Sequence, residues 1–264
     1  MASLTVDTSD RNVSINENQL QDMLALVKAN VTNLFLSEAC RQYFAKARWI
    51  KSGRKVRIFE DSSSGVMPGT VAHNRREVEE VAFGSARRTQ RLIGPLSALE
   101  PIYSAANKLK ALSIGPRTEM ELLHLLGIGF VTENLRVVDL IASSPLMDLG
   151  DMHNLPYGDR EFDVVISGWV LTYSKDPERA VREMVRVCKN GALIAIGVSA
   201  CPHYSEGYIA DPKDEKEIVG SMFNSVSAFT AMIGSNLEAI HFQQDARSND
   251  ATTPVMLIAR IRHD

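Results

Sequence analysis

Residues 111–118 read Ala-Leu-Ser-Ile-Gly-Pro-Arg-Thr, and this octet decides the fold. A short, mostly apolar run stops at a Gly-Pro pair. Thr118 then stands three residues before Glu121, the spacing of a helix-capping box. A strand that turns directly into a capped helix is the first half of a βαβ unit. The alternation continues downstream. Leu122, Leu123, Leu125 and Leu126 predict a helix over 119–127. Strands are predicted over 135–140, over 146–149, and over 162–167, where the residues are Phe-Asp-Val-Val-Ile-Ser. Asp176-Pro177 opens a helix reaching residue 188, Lys189-Asn190-Gly191 reads as a turn, and 192–198 is a fifth strand. A helix lies within 213–232, and strands over 237–242 and 255–261 close the chain. Strands that alternate with helices and lack polar alternation indicate an α/β fold with a parallel sheet covered on both faces.

Upstream the texture differs. Leu20, Met23, Leu24, Leu26, Val27, Val31, Leu34 and Phe35 form one apolar stripe at helical period within 18–50. Residues 52–74 read as a loop with breaker clusters at Ser62-Ser63-Ser64-Gly65 and Pro68-Gly69. Asn74 is placed to cap a helix to residue 91, Gly94-Pro95 to end it, and 96–107 to form another. The expected organisation is a helical N-terminal extension or cap over 1–107 and a Rossmann-like domain over 108–264.

Composition bounds the function. The 264 residues are 45% hydrophobic and 23% charged, with net charge −3. That excludes collagen-like, disordered and coiled-coil classes and argues against a protein dominated by nucleic-acid binding. No apolar run is long enough to cross a membrane, and the polar N-terminus resembles neither a signal nor a transit peptide. Cys40, Cys188 and Cys201 lie far apart and suit thiols in a reducing cytoplasm. No metal-ligand spacing occurs, so no metal is expected. Cations collect at Arg41, Lys46, Arg48, Lys51, Arg54, Lys55 and Arg57, interleaved with Tyr43, Phe44 and Trp49. They read either as a solvated helix end or as an anion- or RNA-binding surface.

Ligands of open α/β sheets sit beyond the carboxyl ends of the strands. Gly115 there permits close backbone approach. The free N–H groups of the next helix favour an anion, and Arg117 offers a planar cationic fork. Asp139 ends the second strand, where a carboxylate can accept from both hydroxyls of a ribose. Asp151 and Met152 follow the third, where a carboxylate beside a backbone N–H can hold an adenine edge. Together they outline a nucleoside pocket.

Residues 108–200 resemble a class I S-adenosylmethionine-dependent methyltransferase. The resemblance rests on Gly150-Asp151-Met152-His153-Asn154-Leu155-Pro156-Tyr157, Glu161-Phe162-Asp163-Val164-Val165-Ile166-Ser167, Tyr173-Ser174-Lys175-Asp176-Pro177 and Glu183-Met184-Val185-Arg186-Val187-Cys188-Lys189-Asn190-Gly191. It implies a seven-stranded sheet with the last strand antiparallel, and S-adenosylmethionine as cofactor. Carried over, it puts Gly115, Pro116, Arg117 and Thr118 at the methionine end and Asp139 with Leu140 at the ribose. It puts Asp151, Met152 and His153 at the adenine, and Ser167, Gly168 and Trp169 beneath the sulfonium. Two departures stand out. Only Gly115 remains of a loop that usually holds two or three glycines. Asp151 follows Asp139 by only 12 positions, too few for the family's helix, and the N-terminal helices are expected to fill that gap.

The sulfonium already carries an activated methyl group, so the protein chiefly aligns the acceptor and a general base is optional. His203 and Tyr173 are the catalytic candidates, with Trp169, Tyr204 and Tyr208 near the expected substrate entry. The leading expectation is methyl transfer to an oxygen or nitrogen of a small-molecule or glycan-type metabolite, with no membrane partner and a homodimer allowed. The alternatives are a noncatalytic binding or regulatory protein and an RNA methyltransferase using residues 41–57. A dinucleotide oxidoreductase is opposed by Pro116-Arg117, which leaves no glycine-rich turn for a pyrophosphate.

Overall fold

The computed structural model describes residues 5–6, 13–14, 16–59, 65–67, 69–80, 87–200, 208–209, 218–219, 223–247 and 253–264. The main sheet contains β1 (Ala111–Ile114), β2 (Leu135–Asp139), β3 (Asp148–Leu149), β4 (Phe162–Gly168), β5 (Cys188–Ala200), β6 (Leu237–Gln244) and β7 (Thr253–Ile261). Their order is β6-β7-β5-β4-β1-β2-β3. The strands from β3 to β5 are parallel, and β7 runs antiparallel to both neighbours. Strand order reverses between β1 and β4, which puts the switch point beside Gly115.

Among the described residues, the helices of eight residues or more are α1 (Glu17–Ala29), α2 (Glu38–Lys51), α3 (Thr70–Glu80), α4 (Arg87–Ser97), α5 (Met120–Gly127), α6 (Pro177–Val187) and α7 (Val226–Ile233), and of the expected 96–107 helix only the short turn Ile102–Ala105 is α-helical beyond α4. Alternate residues of each central strand point to opposite faces. Leu112, Ile114 and Val165 pack under α6 and α7 with Val181, Met184 and Phe229. Ala111, Val164 and Ile166 pack with Leu92, Ile93 and Leu96 of α4 and with Leu122 and Leu125 of α5. The three α4 residues are completely buried. Each contributes about 1.5–3 kcal/mol by leaving water. Asp176 caps α6 by accepting from the Arg179 N–H at 2.9 Å, and Pro177 sits in the first turn, as the Asp-Pro pair predicts.

Several local expectations change. Pro95 lies inside α4, because packing of Leu92, Ile93 and Leu96 carries the helix two residues past it. Asn74 is a buried interior residue of α3, not a cap. Residues 189–191 form a bulge within β5, whose pairing jumps from Phe162–Cys188 to Val164–Leu193, with Gly191 at φ 79°. The capping box does not close: Glu121 turns to Ser113, and α5 begins only at Met120. The stripe on α1 is only partly covered, with Leu20 and Leu24 exposed.

The short β2–β3 connection holds no helix. Instead Ile141–Ala142 pairs antiparallel with Arg57–Ile58. Ile141, Ala142 and Met147 pack in one cluster with Ala45, Trp49 and Val78. N-terminal elements therefore occupy the missing helix's place in the layer.

Candidate functional site

The loops after β1, β2, β3 and β4 converge at the carboxyl edge of the sheet. Gly115 donates its N–H to the Val138 carbonyl at 2.8 Å, and Gly150 donates to the Asp139 carbonyl at 3.0 Å. Gly115 turns with φ 69°, and a methyl group placed on it would overlap the Val170 side chain arriving from beyond β4. Arg117 also has a positive φ, 65°. That left-handed backbone aims its N–H at the Asp139 carboxylate, 2.7 Å from Oδ2.

Asp139 is buried. Its Oδ1 accepts the Ile141 N–H at 3.2 Å. Burial pushes its carboxyl up to about 6, against the opposing pull of the N–H groups of Arg117 and Ile141. Below it, Ser113 donates its hydroxyl to Glu121 Oε1 at 2.8 Å, and Glu121 Oε2 makes no hydrogen bond. Burial pushes Glu121 up to about 7, opposed by the Ser113 bond and reinforced by the charge of Asp139.

Asp151 is also buried, and both its oxygens are engaged. Oδ1 accepts from the His153 backbone N–H at 2.9 Å and meets His153 Nδ1 at 2.5 Å. Oδ2 accepts the Gly65 N–H at 2.8 Å. Burial alone would raise this carboxyl. The His153 side-chain and backbone bonds and the Gly65 N–H outweigh burial and hold it well below the usual carboxylate range. His153 Nε2 lies 2.6 Å from Ser174 Oγ, which also accepts the Asp176 N–H at 3.0 Å. A carboxylate only accepts, so Nδ1 carries a proton, and in the neutral ring Nε2 accepts from Ser174. The chain Ser174–His153–Asp151 has the connectivity of a hydrolytic relay. Ser174 is completely buried, however, and its oxygen is occupied. The three residues act as a clamp.

What they clamp is residues 65–67. Val66 pairs antiparallel with Ser174. Met67 donates its N–H to the Tyr173 carbonyl, and Lys175 donates to the Gly65 carbonyl, both at 2.8 Å. From the other side α6 pins the loop after Asp151. Arg179 donates to the His153 carbonyl at 2.9 Å, and Glu183 accepts the Leu155 N–H at 2.9 Å. Arg186 donates to the carbonyls of Tyr157 and Leu155 and to Glu183.

The sequence-derived residues divide accordingly. Gly115, Arg117, Asp139, Asp151 and His153 come together on one rim. Thr118 Oγ1 accepts the Met120 N–H at 3.4 Å at the start of α5, after Pro116, whose carbonyl accepts the Thr118 N–H. Leu140 and Met152 are core residues. Ser167 and Gly168 end β4. Trp169, at φ 59°, packs on Gly197 near Leu92 and donates Nε1–H to Ser199 Oγ at 2.9 Å, so its ring belongs to the α4 side of the core. Tyr173 is buried and stacks on His73. His203 and Tyr204 lie outside the described residues, and of Tyr208 only the backbone pairing is described. Gly65, Val170, Ser174 and Glu121 were not singled out as site residues from sequence. The Gly in Ser-Ser-Ser-Gly was the only signal, and it reads simply as a loop.

The basic segment is largely structural. Arg41 is buried and donates to the carbonyls of Phe35 and Leu36. Arg48 pairs with Glu119 at 3.1 Å. Arg57 donates to the carbonyls of Ser144 and Met147, and Arg54 lies over Trp49.

Residues 119–196 match the family model described as a methyltransferase domain. That match covers under a third of the chain and shows a methyltransferase domain in this stretch. Among curated proteins, it is 32% identical over 95 residues to demethylmenaquinone methyltransferase of Desulfitobacterium hafniense (strain Y51), covering 32% of this chain and 37% of that protein. It is 36% identical over 66 residues to ajmaline N-methyltransferase of Rauvolfia serpentina, covering 25% and 23%. The chain thus spans well under half the length of the curated relatives it matches. A chain from the complex between the Haloferax volcanii Trm112 methyltransferase activator and a methyltransferase superposes with TM-score 0.51 at 16% identity, covering 75% of this chain and 98% of that chain. That likeness concerns the fold. Among the described residues, no helix is long and apolar enough to cross a membrane.

The residue types suit a nucleoside cofactor: an acid ending β2, another just after β3 and a helix start after β1. Their contacts compete with it. Both Asp151 oxygens are taken by N–H groups of the chain itself, Asp139 is sealed by Arg117 and Ile141, and Val170 fills the crease at Gly115. In this conformation the chain's own groups compete with a nucleoside for both carboxylates and for the crease.

Proposed function

We propose that the protein is an S-adenosylmethionine-dependent methyltransferase acting on an oxygen or nitrogen of a small-molecule or glycan-type metabolite. The observation that carries this reading is the pair of acids at the carboxyl ends of neighbouring strands, Asp139 on β2 and Asp151 just after β3, beside the switch point. Relatives named for demethylmenaquinone and ajmaline support a small-molecule acceptor. The structural employment of Arg41, Arg48 and Arg57 argues against RNA. Cys40 and Cys188, buried free thiols, support a reducing, cytoplasmic setting. Residues 108–264 form the working domain in this reading, with 1–107 as its cover.

Isothermal titration with S-adenosylmethionine tests the reading. Wild type is expected to bind, and Asp139→Ala, checked for folding by circular dichroism, to bind at least about tenfold more weakly. Equal affinity would remove Asp139 from the cofactor site, and absence of binding at millimolar ligand would remove the cofactor. The sealed carboxylates favour a second reading, a noncatalytic methyltransferase-fold protein, for which the titration stays flat.

A further inference from the structure

We propose that residues Gly65–Met67 form an autoinhibitory strap that holds the adenine-recognition corner shut and must lift before a nucleoside can bind. The inference rests on the methyltransferase reading above, because it takes Asp151 as the adenine-facing acid. A carboxylate that recognises an exocyclic amine needs an oxygen within the amine's reach. On Asp151 the oxygen not bonded to His153 is Oδ2, and the Gly65 N–H donates to it at 2.8 Å, so the strap stands where the amine would approach. The strap's own backbone donor therefore stands in for the amine.

Three further features show that the contact is built into the fold. Gly65 lies so close to the His153 ring that an added methyl group would overlap it, so only glycine permits the approach. The strap is held as a short antiparallel pairing with residues 173–175, through the Met67 N–H to the Tyr173 carbonyl and the Lys175 N–H to the Gly65 carbonyl. Val66 is only 8% exposed and is anchored in the apolar cluster that contains Met152 and Leu171. The segment it pairs with continues from Val170, the side chain that fills the crease at Gly115. Strap, clamp and crease filler are thus one contiguous arrangement. Lifting the strap would free Oδ2 of Asp151. A ligand that binds only the lifted form has its apparent affinity reduced by the fraction of molecules so open, and weakening the strap restores that affinity.

The test compares S-adenosylhomocysteine binding to wild type, Gly65→Ala and Val66→Ala by isothermal titration. The alanine at 65 pushes the strap off His153, and the alanine at 66 loosens its anchor. Both variants are expected to bind at least tenfold more tightly than wild type. Hydrogen exchange at the Met67 and Lys175 amides of wild type is expected to rise when the ligand is added. That exchange readout needs no variant and so is independent of variant folding. Equal binding by all three proteins, with no change at those amides, would overturn the strap while leaving the methyltransferase reading in place. No binding by any of the three folded proteins at millimolar ligand would overturn both.

Discussion

Asp151 shows how much a single carboxylate organises here. Its oxygens join a loop 86 residues upstream to His153, and through His153 to Ser174, which lies just ahead of α6. Ser174→Ala leaves His153 Nε2 and the Asp176 N–H without their partner inside the protein. The expected loss is about 1–3 kcal/mol in urea unfolding. A loss under about 0.5 kcal/mol, the range of a surface change, would contradict the clamp. Glu121 gives a pH signature. Its carboxyl rises from 4.5 to about 7 on folding, so the folded state holds the proton more tightly. Its contribution to stability is fully present below pH 4.5 and is lost as pH rises through 7. Glu121→Gln keeps the neutral shape and removes the slope. Between pH 5 and 8 wild type should lose about 2–3 kcal/mol relative to the variant. Parallel stability–pH curves would show that Glu121 does not titrate in that window. At this scale the sequence revealed the acids but not their partners. Asp139 and Asp151 could be read from their places after strands. Gly65 could not, because nothing local links a serine-rich loop to a carboxylate so far along the chain.

The elements were legible where periodicity is strong. β1, β2, β4 and α6 stand close to where the apolar runs and the Asp-Pro start predict them. Boundaries set by tertiary packing were not legible. Pro95 is carried inside α4 by three fully buried neighbours, and residues 189–191 are drawn into β5 because β4 continues alongside. Replacement of Leu96 by Ala tests the packing of α4 directly. A completely buried leucine against the sheet should cost about 2–5 kcal/mol in chemical denaturation. A cost below about 1 kcal/mol would mean that α4 does not cover the sheet.

At the scale of the whole molecule, the two sequence textures are not two independent cores. Residues of α2, α3 and α4 share one cluster with β1, β4 and β5 and fill the place of the missing β2–β3 helix. A fragment 108–264 is therefore expected to lose near-ultraviolet circular dichroism and to expose its sheet face to hydrophobic dyes. Retention of a sharp cooperative transition would instead make residues 1–107 a dispensable cap. The seven strands, with the last one antiparallel, were implied by the resemblance to methyltransferases, whereas the cover's route across the sheet depends on long-range packing that periodicity cannot encode. The nucleoside rim at the carboxyl edge remains the proposal on which the functional reading depends. Hydrogen exchange with and without S-adenosylhomocysteine maps it most directly. The amides of Arg117 and His153, which donate to Asp139 and Asp151, should change protection together with residues 65–67. Changes confined to β6 and β7, or none at saturating ligand, would contradict a nucleoside site on this edge.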